Sequence, residues 1–153
     1  MKHLYLSFSP RDNRIMAEMR DRLLHQGFKP WIDPEPHPGG DWRFLIDDAI
    51  QNSDAVIVIV TPNSVNSDYV TYEWALALGL GVQVIPVIFK KPDNMHPRLM
   101  TLNPFNFYGF KDPAHFWDYF LRELKRILSA PHAAPPPVMP ENAPPPLPSV
   151  SRS

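Results

Sequence analysis

The chain has 153 residues, 20 prolines, no cysteine and a formal net charge of -1. This length suits one domain with a tail, and the missing cysteines exclude disulfides and thiolate metal sites. A near-neutral charge gives no support for a nucleic-acid partner, which normally requires a basic surface. The longest apolar run, residues 55–60, is far shorter than the roughly 20 residues that span a bilayer. We therefore expect a cytoplasmic protein with neither a nucleic-acid nor a membrane partner.

Metal binding is not expected either. The six histidines are scattered along the chain, at positions 3, 25, 37, 96, 115 and 132. Two imidazoles grip one metal ion from a single helix only when they are about one turn apart, and no pair here has that spacing. We predict no metal site and no resident cofactor.

The first half of the chain reads as strand, helix, strand, loop and helix. HLYLSF at 3–8 is typical of a strand, and the SPRDN turn after it offers Asp12 or Asn13 as the cap of a helix that stops at Gly27. FKPWI at 28–32 predicts a second strand. Pro30 favours an edge position for it, because proline lacks the N–H that a central strand donates. A loop, DPEPHPGGD, then precedes a helix over 42–53.

The second half continues the alternation. DAVIVIV at 54–60 is continuously apolar, which is typical of a strand covered on both faces, and TPNSVNS after it reads as a loop. A helix over 68–80 and a buried strand over 82–89 follow. KKPDNMHPRLMTLNP is predicted to be a long irregular connection and NFYGF at 106–110 a weak last strand. Asp112 as cap and Pro113 at the first helical position open a final amphipathic helix that runs to Leu128.

Alternating strands and helices predict an α/β fold with a five-stranded parallel sheet and helices on both faces. An edge-like second strand favours the order 2-1-3-4-5, whose topological switch lies between strands one and three. Ligands of such sheets bind at the carboxyl ends near the switch. The SPRD and TPNS loops are therefore expected to lie side by side at the site.

The composition changes abruptly after Ser129. Residues 130–153 are dominated by proline, which removes backbone donors and fixes φ, so we expect an extended tail with no core of its own. The domain is accordingly predicted over residues 1–129. The tail is interpreted as a linker, to which a further domain or partner would attach; the alternative is a docking segment for aromatic-lined grooves.

Three segments, in this order and spacing, resemble one known family. LSFSPRDN, WIDPEPHPGGDWRFLIDDAI and SDAVIVIVTPNSVNSDYVTYEWALALGLGVQVIPVIF are similar to the Toll/interleukin-1 receptor (TIR) domain family, and the Tyr-Glu-Trp run resembles its bacterial members. The resemblance covers about residues 2–128. It implies a flavodoxin-like three-layer domain, and enzymatic members of this family cleave the bond between nicotinamide and ribose in NAD+.

The resemblance also implies site residues. Glu73 matches the catalytic glutamate of the enzymatic members, and Tyr69 matches an aromatic that stacks on the substrate. Phe8 and Ser9 match the first loop of the nucleotide pocket. Residues 33–41 correspond to the loop that the family calls the BB loop. Asp33 and Gly40 match positions in this loop, and Trp42 matches the position directly after it. Members of the family associate with one another through this loop, so self-association is expected as well.

The residues themselves allow a check on this chemistry. Glycoside hydrolysis generally uses two carboxylates, one of which protonates the leaving oxygen. Nicotinamide in NAD+ is cationic and departs neutral, so one carboxylate that stabilises the developing positive charge is sufficient. Tyr69 and Glu73 are four residues apart and share a helix face.

Alternatives remain at several positions and for the whole chain. Glu73 read alone is an ordinary solvated helix glutamate, Asp12 is at least as well explained as a plain cap, and Trp42 as a packed helix-start aromatic. A non-enzymatic TIR interaction module competes with the NAD+ glycohydrolase. A phosphorylated receiver domain is rejected because Thr61 stands where its acidic phosphoacceptor belongs, and SFSPRDN lacks the glycines of a dinucleotide-binding fingerprint.

Overall fold

A computed structural model describes residues 1–32 and 42–130; for Trp42 it describes the backbone only. Their strands are β1 (His3–Ser7), β2 (Lys29–Trp31), β3 (Ala55–Val60), β4 (Gln83–Ile88) and β5 (Phe105–Asn106). Their α-helices are α1 (Asn13–His25), α2 (Trp42–Gln51), α3 (Asp68–Gly79), α4 (Pro97–Met100) and α5 (Pro113–Ser129). The predicted loop 33–41 and the proline-rich residues 131–153 lie outside the described part of the chain.

The sheet has the predicted order, β2-β1-β3-β4-β5, with every pair parallel. β3 is central and its six residues are all buried, while β2 lies at the edge, as Pro30 indicates. β1 pairs with β2 on one side and with β3 on the other, so its backbone is held from both sides. The α/β fold class and the strand order are thereby confirmed.

The two faces of the sheet build two separate cores because side chains alternate along each strand. Leu4 and Leu6 of β1 face a core completed by α1 and α5. Tyr5 faces the opposite core, completed mainly by α2 and α3. This second core brings α3 against β1, and it is the layer that positions the candidate site.

Several segments adopt a different type of secondary structure from the one predicted. β5 has two residues, and the rest of the predicted strand forms a 3₁₀ turn, Phe107–Gly109. β4 ends at Ile88, which pairs with Asn106, so the residues after Asn106 have no further strand partner in β4. The predicted irregular connection contains α4, opened by Pro97 at its first position, and the TPNSVNS loop contains a 3₁₀ turn over Ser64–Asn66.

Helix ends follow the predicted chemistry more closely. α1 is followed by Gly27 at φ 86°, the left-handed conformation that ends helices at glycine, and the N–H of Phe28 returns to the carbonyl of Leu23 at 3.0 Å. Asp112 caps α5 by accepting from the N–H of Ala114 at 3.0 Å.

Across residues 1–32 and 42–130, no helix combines the length and the apolar character that crossing a bilayer requires.

Candidate active site

The start of α3 places Tyr69 and Glu73 on one side of the helix. Ser67 caps the helix by accepting from the N–H of Val70 at 3.2 Å. Four residues separate Tyr69 from Glu73, so their side chains lie one turn apart on the same face. Val70, Trp74 and Ala77 are buried in the core against the sheet.

Glu73 is buried, with only 2% of its surface exposed. The Tyr5 hydroxyl donates a hydrogen bond to its Oε2 atom, and the Ser7 hydroxyl donates to its Oε1 atom at 2.6 Å. Both donors come from β1 and both are fully buried. A buried carboxyl group is costly unless it is hydrogen-bonded, and two hydroxyl donors meet that need. The interpretation of Glu73 as a solvated surface residue is therefore wrong.

A cleft of about 410 Å³ opens beside this carboxyl group at the carboxyl end of β1. Tyr69 and Glu73 line one wall, and Phe8 lies at the end of β1. The remaining lining residues among those described are Leu6, Pro10, Asn13, Met16, Ile32 and Ser67. Three of the predicted site residues thus share one cavity, although they come from two segments some 60 positions apart.

The other predicted site residues are placed differently. Ser9 is buried, but its hydroxyl accepts a hydrogen bond from the N–H of Arg11 at 3.3 Å and it is not among the residues that line the cleft. Its predicted contact with a nucleotide stays a prediction. Asp33 and Gly40 lie outside the described residues, as does the side chain of Trp42. Ile32, directly before the loop 33–41, lines the cleft.

Asp12 joins the two loops at the switch point. Its carboxylate accepts from the Thr61 hydroxyl at 2.6 Å and from the Asn63 side-chain amide at 2.9 Å. The predicted neighbourhood of the SPRD and TPNS loops is therefore present. Asp12 does stand at the cap position of α1, but its side chain makes no capping hydrogen bond. The plain-cap interpretation is wrong, because the carboxylate turns to the side chains of Thr61 and Asn63.

A second tyrosine on α3 fixes the neighbouring helix. The Tyr72 hydroxyl donates to Oδ1 of Asp47 on α2 at 2.6 Å. Burial, together with this hydrogen bond, raises the pKa of the Tyr72 phenol well above its usual range. The phenol therefore remains a neutral donor that ties α3 to α2.

A family model for the TIR domain matches residues 4–124. The chain belongs to the TIR domain family. A search of curated proteins found no match.

Solved structures share the fold of this TIR domain. The TIR domain of the Toll-related receptor TRR-2 from Hydra magnipapillata matches with a TM-score of 0.68 and 20% identity, over 80% of this chain and 97% of that one. The TIR domains of the activated Roq1 resistosome, which recognises the pathogen effector XopQ, match with a TM-score of 0.66 and 14% identity, over 81% and 99%. The CMP N-glycosidase BcmB of Clostridium botulinum matches with a TM-score of 0.58 and 15% identity, over 79% of this chain and 99% of that one.

The sequence analysis of this TIR domain did not predict the two residues that donate hydrogen bonds to Glu73. Tyr5 and Ser7 stand two positions apart in β1, so alternation places both on one face of the strand. That pattern of two hydroxyls on one face of a short, otherwise apolar strand is a usable signal. The partner of the two hydroxyls cannot be read from this pattern, because the register of α3 against β1 depends on tertiary packing.

Within residues 1–32 and 42–130, no three His, Asp or Glu side chains cluster in a way that would hold a metal ion.

Proposed function

We propose that this TIR domain is an NAD+ glycohydrolase, which cleaves the nicotinamide–ribose bond to give nicotinamide and ADP-ribose or a cyclic ADP-ribose isomer. The observation that carries the proposal is the Glu73 carboxyl group, buried and held by two hydroxyls in the wall of a cleft shared with Phe8 and Tyr69. The resemblance of the Tyr-Glu-Trp run to bacterial members suggests a role in defence or virulence signalling, in the cytoplasm.

The proposed step breaks the bond between C1′ of the ribose and the nitrogen of nicotinamide. The bonding electron pair leaves with nicotinamide, cancels the positive charge of its ring and leaves a positive charge spread over C1′ and the ring oxygen of the ribose. Water then bonds to C1′ and loses a proton, which completes ADP-ribose. In the cyclising variant, a nucleophilic group of the same ADP-ribose takes the place of water.

One carboxylate meets the electrostatic demand of this step. A negative charge beside C1′ stabilises the developing cation, and it does so most strongly where water is excluded. Among the described residues that line the cleft, Glu73 is the one carboxylate. The aromatic rings of Phe8 and Tyr69 are suited to holding flat bases by stacking. The arrangement favours a leaving group that needs no proton.

This distinction gives a direct test between leaving groups. The purified chain should release nicotinamide from NAD+, whereas release of cytosine from CMP should be about 10²-fold slower, because cytosine leaves readily only when an acid protonates it. Liquid chromatography of both reactions at equal substrate concentration measures the ratio. Equal rates for the two substrates, or no nicotinamide at any protein concentration, would contradict the proposed activity.

The alternative function is a non-enzymatic interaction module, in which the TIR domain binds further copies of itself. One observation favours self-association in either case. Phe44 on α2 is 75% exposed and its neighbour Leu45 is 45% exposed, which leaves a large apolar surface one turn after the loop 33–41. Exposed aromatic side chains of this kind are frequent at protein interfaces.

We expect the molar mass of the wild type, measured by light scattering, to rise with protein concentration. The molar mass of Phe44→Ser should stay at the monomer value, because the variant loses an exposed apolar contact. Leu24→Ser is the matched control, because Leu24 is 55% exposed on α1, on the far side of the sheet. An identical mass increase in Phe44→Ser would exclude this surface. Self-association without nicotinamide release would favour the interaction module.

A further inference from the structure

We propose that Tyr5 and Ser7 are positioning residues, which hold the Glu73 carboxylate in its working orientation. The inference rests on the proposed NAD+ glycohydrolase activity and goes beyond it by assigning a role to two residues of β1. It starts from the two hydrogen bonds that bridge β1 and α3.

The two hydroxyls donate hydrogen bonds to different oxygen atoms of the Glu73 carboxylate. Tyr5 donates to Oε2 and Ser7 to Oε1, the latter at 2.6 Å. Fixing both oxygens defines the rotation of the carboxylate about its final bond as well as its position.

The support behind these donors is rigid. Tyr5 pairs with both β2 and β3, and Ser7 pairs with Val58 of the central strand β3, so the backbone beneath both hydroxyls is part of the sheet. The Tyr5 ring also stacks on Trp31 with a centroid separation of 4.9 Å and an interplanar angle of 20°. A stacked, fully buried ring has little freedom to swing its hydroxyl away from Glu73.

Neither donor is among the residues that line the cleft, so both act on the reaction through Glu73. A displacement of about 1 Å in a catalytic group costs on the order of 10²-fold in rate. The proposed role therefore predicts a loss of turnover with little loss of substrate binding. A purely structural role predicts lower stability with unchanged turnover.

The chain provides a matched control one position before Glu73. Like Tyr5, Tyr72 is a tyrosine that donates to a carboxylate, but it is only partly buried and its partner is Asp47 on α2. Tyr5→Phe and Tyr72→Phe each remove one phenolic hydroxyl and keep the ring. Only the first of them removes a hydrogen bond to Glu73.

The experiment measures kcat and KM for NAD+ cleavage, urea unfolding, and crystal structures of the wild type and both variants. We expect Tyr5→Phe to lower kcat by about 10- to 100-fold with KM changed less than about threefold, and Tyr72→Phe to change both by less than about threefold. The Glu73 carboxylate should leave its position in the Tyr5→Phe crystal and keep it in the Tyr72→Phe crystal. Ser7→Ala replaces Tyr5→Phe if the latter does not fold.

The outcomes separate the two proposals. Wild-type cleavage together with full turnover in Tyr5→Phe would overturn the positioning role and leave the NAD+ glycohydrolase standing. A wild type that releases no nicotinamide would overturn the activity. In that case an unmoved Glu73 in the Tyr5→Phe crystal would overturn the positioning role too, and a displaced Glu73 would support it.

Discussion

Glu73→Gln should lower nicotinamide release by about 10³-fold, the scale on which enzymes lose rate when a group that stabilises transition-state charge is removed. The change keeps the shape of the side chain and removes its negative charge. Nicotinamide production from NAD+ under saturating substrate is the measurement. Release within about tenfold of the wild type would remove Glu73 from the mechanism.

The stability of the same variant makes the result interpretable. In Glu73→Gln one of the two hydroxyls, Tyr5 or Ser7, can still donate to the amide oxygen, and the other can rotate to accept from the amide N–H, so the two contacts persist. Replacing a buried charge by a neutral group is often neutral or stabilising. Urea unfolding should therefore show Glu73→Gln at least as stable as the wild type, which would separate loss of chemistry from loss of fold.

Glu73→Ala is the less informative variant for this reason. It leaves the buried hydroxyls of Tyr5 and Ser7 without their carboxylate acceptor, and a buried unsatisfied group costs about 1–3 kcal/mol. Its inactivity would combine a missing charge with a disturbed core. Agreement between the two variants in rate, but not in stability, is the expected pattern.

Asp12→Ala should reduce the free energy of unfolding by about 1.5–3 kcal/mol, the range for losing hydrogen bonds to a charged group. Asp12 is 5% exposed and binds the side chains of Thr61 and Asn63. Its loss removes the acceptor of the buried Thr61 hydroxyl and the hydrogen bonds that join the two switch-point loops. Domains of this kind have only about 5–15 kcal/mol in total, so the effect is severe. Urea denaturation followed by circular dichroism measures it.

Asp21→Ala provides the control on the same helix. Asp21 pairs with Arg20 at the surface, where its side chain is 67% exposed, and exposed pairs contribute at most about 1 kcal/mol. A loss in Asp12→Ala no greater than that in Asp21→Ala would show that the switch-point network is not a structural tie.

The fold was largely predictable because its signals are local. Continuous burial of β3, the edge proline of β2 and the cap of α5 each follow from residues close together in sequence. The two-residue β5 was not, since its length depends on where β4 accepts a neighbour. Pairing across the sheet is a tertiary property that no short window contains.

The site divides along the same line. Topology predicted that the loops after β1 and β3 meet, and the resemblance to the TIR family named Phe8, Tyr69 and Glu73, so a shared cleft could be anticipated. The inward turn of Asp12 could not, because an acidic residue before a helix has a good local alternative as a cap. The hydroxyls around Glu73 were hidden for the same reason, since a tyrosine and a serine are unremarkable in a strand.

The hydrogen bonds of Glu73 also determine when the site can exist during synthesis. Its donors Ser7 and Tyr5 are 66 and 68 residues earlier in the chain. Ribosomes add about 5–20 residues per second, so β1 is made several seconds before its partner helix. A chain that has not yet completed α3 has neither the carboxylate nor the wall of the cleft. The proposed NAD+ cleavage therefore cannot begin before α3 has been made.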